Sequence, residues 1–167
     1  MSERSLVQAT LQLPCSVTIL STRADKRQGA MTASAMFVAE IPPLIAVSVS
    51  KTFATYQLIE NSKEFAINVL ADSQLDLAGK FGSIHGYEID KFKEADIATE
   101  SASKIGAPLV SGCFANIECR VRSSLWEVEG NHAIYVGEVI AFKVNNKLMP
   151  MVWLNGRYFR VGTQCRM

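Results

Sequence analysis

Hydrophobic and polar positions alternate over short runs along this chain, and prolines, glycines and polar turns separate the runs. Residues 14–22 (PCSVTILST) are rich in β-branched and apolar types and predict a strand, followed by a polar, glycine-containing turn over 23–29. Residues 30–38 (AMTASAMFV) are small and extended in character. Ile41-Pro42-Pro43 ends them, because proline donates nothing to a ladder and biases the residue before it to extended geometry. Leu44–Ser50 resumes as a strand. Phe53, Tyr56 and Ile59 are spaced to share one face of a short helix over 53–61. Residues 64–70 then alternate, with Phe65, Ile67 and Val69 opposite Ala66, Asn68 and Leu70.

The pattern predicts a second helix beginning near Asp72 or Ser73, both good N-caps, with Leu75, Ala78 and Phe81 on one face. Residues 82–112 read as irregular, punctuated by Gly82, Gly86, Gly106, Pro108 and Gly112. Three further strand-like runs follow at 114–121, 133–144 and 152–161. In the first, Ala115, Ile117, Cys119 and Val121 lie opposite Asn116, Glu118 and Arg120, which makes Cys119 a core residue. Many short strands, two short helices and no βαβ periodicity predict a mainly β fold, an antiparallel barrel with a few short flanking helices. An open doubly wound sheet needs helices of about 10–15 residues between most strands, and these are missing.

Composition narrows the functional classes. The 167 residues suit a single domain, 1–167, with frayed ends at about 1–5 and 162–167. The 17 Lys+Arg against 16 Asp+Glu leave a net charge of +1, which argues against nucleic acid as a partner. A chain that is 49% hydrophobic and 20% charged is not a disordered one. The opening Met-Ser-Glu-Arg-Ser is followed by no long apolar stretch, so no secretory signal is expected. The most apolar segment, 44–49, is strand length and far short of the roughly 20 residues of a membrane helix. Cys15, Cys113, Cys119 and Cys165 form no Cys-x-x-Cys pair and read as free thiols, and His85 and His132 have no zinc-site spacing. The expectation is a reduced, cytoplasmic domain without a metal or a membrane partner.

Three clusters carry candidate chemistry. In Gly29-Ala30-Met31-Thr32-Ala33-Ser34, small residues admit another body close to the backbone and two side chains offer hydroxyls; a tight sheet crossing needs the same residues. Ser48-Val49-Ser50-Lys51-Thr52-Phe53-Ala54-Thr55 runs from a strand end into a helix start, where exposed N–H groups, hydroxyls and a lysine suit a phosphate. Ordinary capping by Ser50 or Thr52 explains that stretch equally well. The third cluster is scattered: Asp90-Lys91-Phe92, Asn131-His132 and, in the last strand, Asn155-Gly156-Arg157-Tyr158. Each of its parts also reads as surface or turn.

Together these pieces resemble the flavin reductase-like family, whose fold is the FMN-binding split barrel. The resemblance spans Val7 to about Phe159 and rests on GAMTASAMFVAEIPPLIAVSVSKTFATYQLIENSKEFAINVL, IDKF, GAPLVSGCFANIECRV and EGNHAIYVGEV, in matching order and separation. The Ala-Asn-x-Glu-Cys and Asp-Lys-Phe pieces look most like the flavoredoxin-like branch. The resemblance implies that Met31, Thr32, Ala33 and Ser34 lie against FMN and that Val49, Ser50, Lys51 and Thr55 hold its ribityl and phosphate groups. It further implies that Lys91, His132 and Tyr158 lie near the flavin, with His132 positioning flavin or nicotinamide. Two positions depart from the pattern: Gly29 stands where many relatives have Asn, and Ala35 where many have an aromatic or a serine.

The activity implied is an NAD(P)H-dependent flavin reductase with FMN as cofactor, acting as a homodimer and supplying a monooxygenase or other electron acceptor. An FMN-containing electron carrier that does not use NAD(P)H is the alternative from another class, and a dimeric module that has lost flavin is a third. The mean hydropathy of +0.14 is compatible with a dimer, although a large core gives the same value.

Overall fold

The computed structural model describes residues 3–83, 90–125 and 130–164, so Cys165, His85, Gly86 and Ile89 of the IDKF motif lie outside the described residues. An opening helix α1 (Glu3–Thr10) precedes the short strand β1 (Cys15–Ser16) and the hairpin β2 (Thr18–Ala24) and β3 (Arg27–Ala33). The turn expected over 23–29 is only Asp25-Lys26, with Asp25 at φ 53, a conformation that aspartate tolerates. Arg23 pairs with Gln28 and Thr22 with Gly29, so the ladder continues through the polar stretch. Gly29 serves close approach instead of turning: a Cβ there would lie 2.7 Å from Leu58 Cδ1.

After Ser34 come β4 (Ala35–Ala39) and β5 (Leu44–Ser50), then α2 (Ala54–Ser62) and β6 (Glu64–Val69). The second expected helix is a short 3-10 turn, Asp72–Gln74, continuing into α3 (Leu75–Ser83). Ala78 and Phe81 are buried as the spacing predicts, but Leu75 is exposed and Leu77 packs inward in its place. The irregular stretch holds a single helical turn α4 (Lys91–Glu94) and the small hairpin β7 (Thr99–Ser101) and β8 (Pro108–Val110). Two long strands, β9 (Ala115–Leu125) and β10 (His132–Val144), follow. The run 152–161, expected as one strand, is a hairpin of β11 (Met151–Leu154) and β12 (Arg157–Arg160). Asn155 and Gly156, placed within that strand by the pattern, are its turn, both at positive φ (49 and 75) as a two-residue hairpin loop requires.

Seven strands form one antiparallel sheet in the order β3-β2-β6-β9-β10-β5-β4. Its two edge strands, β3 and β4, are consecutive in the chain with Ser34 alone between them. The sheet must therefore curl until its edges meet at Ser34, giving a barrel closed at one corner and open along the rest of the seam. Register shifts at Val136/Gly137 and Val139/Ala141 bend β10 into this curve. Gly137 leaves room for the Phe65 ring, since a Cβ there would lie 2.5 Å from Phe65 Cζ. The three-stranded sheet β1-β11-β12 sits beside the closed corner, where Ser16 Oγ donates to the Ala35 carbonyl at 3.2 Å.

Both faces of the central strands are covered. Leu20, Met31, Val47, Val49, Phe65, Ile67, Cys119 and Tyr135 fill one cluster, closed by Ile59 of α2. Ile19, Leu70, Phe81, Phe92 and Val110 fill another under α3 and α4. Burial pushes the Cys113 and Cys119 thiols up to about 12, so both stay protonated and act as packing residues. Among the described residues no cysteine is in a disulfide, no group of metal-binding side chains occurs, and no helix is long and apolar enough to cross a membrane.

Thr18, Ser21, Thr22, Asn68, Asn116 and Glu118 on β2, β6 and β9 are buried too, and hydrogen bonds account for them. Asn68 Nδ2 donates to the Ile19 carbonyl at 2.8 Å and Ser21 Oγ at 2.9 Å. Its Oδ1 accepts from the Val110 N–H at 2.9 Å and Asn116 Nδ2 at 2.7 Å. This clamp fastens β8 across the sheet. Asn68→Ala strands partners on three elements and is expected to destabilise the fold by about 3 kcal/mol, read from the urea midpoint at unchanged slope.

Candidate functional site

The seam of the barrel runs along β3, whose middle residues Gly29, Ala30 and Met31 are buried and whose Thr32 and Ala33 are half-buried. As an edge strand it has β2 on one side only, so every second backbone N–H and C=O points away without a strand partner. Its small side chains allow α2 and α3 to come close: Gly29 touches α2, and Thr32 Oγ1 donates to the Ala78 carbonyl of α3 at 2.9 Å. Beyond that contact Thr32, Ala33 and Ser34 line a cavity of about 310 Å³ with Ser16, Val17, Trp153 and Tyr158. Trp153 and Tyr158 are register partners on β11 and β12, so hairpin pairing holds the two aromatics side by side. Met31 and Val49 are 8% and 0% exposed, backbone included, so they stand behind the surface of the site.

A second group gathers around the start of α2. Ser50 ends β5 as the register partner of His132 on β10, and the Lys51 N–H donates to the Asn131 carbonyl at 2.7 Å. His132 is exposed, whereas Ser50 is buried with its hydroxyl 2.9 Å from that of Thr52. The N-cap of α2 is Phe53, an extended residue that makes no side-chain cap hydrogen bond. Thr55, in the first turn, is buried with its Oγ1 3.5 Å from the place a Cβ on Gly29 would take. The Lys91 ammonium lies 5.9 Å from the centre of the Phe53 ring and 3.5 Å from the Phe81 carbonyl. Burial lowers the Lys91 pKa.

Thr55 reaches the Gly29 end of β3, and Lys91 lies by Phe53, one residue before α2. Ser50, Lys51 and His132 gather where β5 pairs with β10, and Thr32, Ala33, Ser34 and Tyr158 line the cavity at the other end of β3. Trp153 and Ser16 were not legible as site residues, because both enter through the separate sheet. Phe53 stands in the second candidate cluster of the sequence, but its pairing with Lys91 was not legible there. The departures at Gly29 and Ala35 are accommodated: Leu58 occupies the space above Gly29, and the Ala35 N–H donates to Ser16 Oγ at 3.4 Å.

A barrel with this seam defines a class, and residues 10–162 match the flavin reductase like domain. The chain belongs to that family. Among curated relatives, the actinorhodin polyketide dimerase of Streptomyces coelicolor is 28% identical over 155 residues, covering 92% of this chain and 83% of the relative. HsaB of Rhodococcus jostii, the reductase subunit of a flavin-dependent monooxygenase, is 31% identical over 117 residues, covering 70% of this chain and 56% of the relative. Among solved structures, the NADH:FAD oxidoreductase SgcE6 of Streptomyces globisporus superposes with a TM-score of 0.87 at 27% identity, covering 97% of this chain and 95% of that one. That protein has also been solved in complex with NAD and FAD fragments, matching at a TM-score of 0.85 and 26% identity over 98% of this chain and 96% of that one.

The residues present fit a flavin nucleotide. A helix start with no side-chain cap beside a half-buried lysine favours an anion, and a cavity flanked by two aromatics with small residues on one wall suits a planar ring. Lys91 also sets a cost. Its folded pKa lies below its unfolded one, so the unfolded chain binds more protons, and the penalty is full below the folded pKa and fades as pH rises through it. Lys91→Met, which keeps the apolar stem, is expected to stabilise the ligand-free protein at pH 7. Urea melts at pH 7 and near pH 10.4, the ordinary lysine value, should show that gain shrinking at the higher pH.

Proposed function

We propose that the protein is an NAD(P)H-dependent flavin reductase that binds FMN along β3 and supplies reduced flavin to a monooxygenase or similar electron acceptor. The observation that carries this reading is Lys91 held over the ring of Phe53, the N-cap of α2 that makes no side-chain cap hydrogen bond, beside an edge strand with β2 on one side only. Family membership and the NAD and FAD fragments bound by a structural neighbour support it. The motif resemblance favours FMN over FAD.

A bound flavin supplies the hydride acceptor, and the chain's residues supply binding and orientation. Thr55, Ser50, Lys51 and the first N–H groups of α2 hold phosphate, with Lys91 adding positive charge. The backbone N–H groups of the 31–34 stretch that face away from β2 meet the polar edge of the ring and stabilise negative charge that develops there. Val49, buried where β5 pairs with β10, backs the ribityl segment and holds Ser50 and Lys51 in place. Tyr158 and Trp153 wall the ring and exclude water. His132, exposed at the mouth, orients flavin or nicotinamide as a donor; hydride transfer needs no general base. The free thiols support a reducing, cytoplasmic setting.

Mixing protein with NADH or NADPH and FMN or FAD, and following the nicotinamide absorbance, tests the reading. Oxidation with at least one pair is expected. Bound flavin without oxidation by either nucleotide points to an electron carrier instead, and failure to take up any flavin overturns both. Thr55→Ala and Lys91→Ala should each weaken FMN by about tenfold, as loss of a charge-assisted hydrogen bond does.

A homodimer is part of the proposal. On edge strand β4, Met36, Phe37 and Val38 are 64%, 67% and 41% exposed in succession, and Ile41 is 94% exposed. Apolar side chains on both faces of an edge strand mark a surface suited to cover by another chain. Light scattering should give a dimer mass, and Phe37→Asp should shift it towards the monomer.

A further inference from the structure

Lys91 sits on a helix of one turn, and a single turn does not hold itself together in water. Its two chain neighbours fix it. Phe92 is 4% exposed and packs edge-on against Phe81 at 5.6 Å. Asp90 caps α4, with Oδ1 accepting from the Phe92 N–H at 3.1 Å and the Lys93 N–H at 3.4 Å. The same carboxylate accepts from Gln28 Nε2 at 3.2 Å and 3.1 Å. Gln28 is therefore the polar tie between α4 and β3. Its amide cannot turn around, because Arg23 Nη2 donates to Gln28 Oε1 at 2.7 Å and commits the NH₂ group to Asp90.

We propose that Gln28 is a positioning residue that sets Lys91 against the start of α2 through the Asp90 cap; the proposal rests on Lys91 contacting the flavin phosphate. Without that tie the turn is held by the packing of Phe92 and Ala95, and the ammonium by its 3.5 Å contact with the Phe81 carbonyl, which leaves the turn free to tilt and carry the ammonium away from Phe53. With Asp90 tied to β3, the residue between the two anchors has one position. The strand that offers backbone donors to the ring thus also sets the cation that meets the phosphate. Ring and phosphate contacts then share one frame.

Riboflavin, which lacks the phosphate, separates this role from a merely structural one. FMN and riboflavin affinities are measured by fluorescence quenching for wild type, Lys91→Met, Gln28→Ala, and Gln28→Glu combined with Asp90→Asn. Lys91→Met should lower the FMN-to-riboflavin preference by about tenfold. Gln28→Ala, which changes no charge, should lower it by about fivefold while riboflavin affinity holds. The double variant keeps the net charge and rebuilds the tie with donor and acceptor exchanged, since asparagine still caps and its NH₂ faces a carboxylate; it should restore the preference. An unchanged preference in Gln28→Ala, alongside a collapsed one in Lys91→Met, overturns the positioning role alone. An unchanged preference in Lys91→Met overturns the phosphate reading of Lys91 and this proposal with it. Equal loss of both flavins in Gln28→Ala also overturns it, as a structural effect.

Discussion

A seven-stranded sheet whose first and last positions are occupied by consecutive strands has one residue in which to join its edges. Ser34 is that residue, and much of the architecture follows from it. The edges meet at this corner and diverge away from it, so the barrel has a seam. The seam leaves β3 with unpaired backbone groups, normally a hazard for aggregation. Here α2, α3 and α4 crowd against the strand and the β11–β12 hairpin flanks its end, so that β3 is partly covered yet open to a ligand.

Covering both faces of the sheet demands that polar alternates be satisfied, and the segment 99–110 does this with few residues. Asn68 and Asn116 hold β8, Ser21 Oγ donates to the Pro108 carbonyl at 2.6 Å, and Glu118 gathers the loop before it. Burial raises the Glu118 pKa, but N–H donors from Ser103, Lys104 and Ile105 and the Ser103 hydroxyl outweigh it and hold the carboxylate below its usual value. Ions at the surface add less: Lys143 with Glu100 and Arg160 with Asp72 are well exposed on the lysine and arginine side. Buried amides and a loop-binding carboxylate carry the outer layer.

Local pattern made much of this readable. β5 was legible from end to end because Pro42-Pro43 and the polar Lys51-Thr52 bracket it, and Cys119 was legible as core from parity along β9. Polar composition misled over 23–29, where ladder pairing with β2 overrides it, and Leu75 was misplaced because a 3-10 turn ahead of α3 shifts the helical phase. The candidate site was legible only in pieces. Nothing in a one-dimensional pattern brings Lys91 to Phe53 or Tyr158 to Thr32, since those meetings are made by the curl of the sheet.

Lys91 joins the two themes. A cation taken out of water is disfavoured in the ligand-free fold, which is why its pKa falls. That cost is incurred on folding, so in the proposed phosphate role an incoming anion would meet a charge already stripped of much of its solvent and already in place. A surface lysine in the same role would have to be desolvated and ordered at the moment of binding. The Gln28–Asp90 tie and the Phe92–Phe81 contact make that early expense possible, because they hold the half-buried ammonium against its tendency to swing back into water.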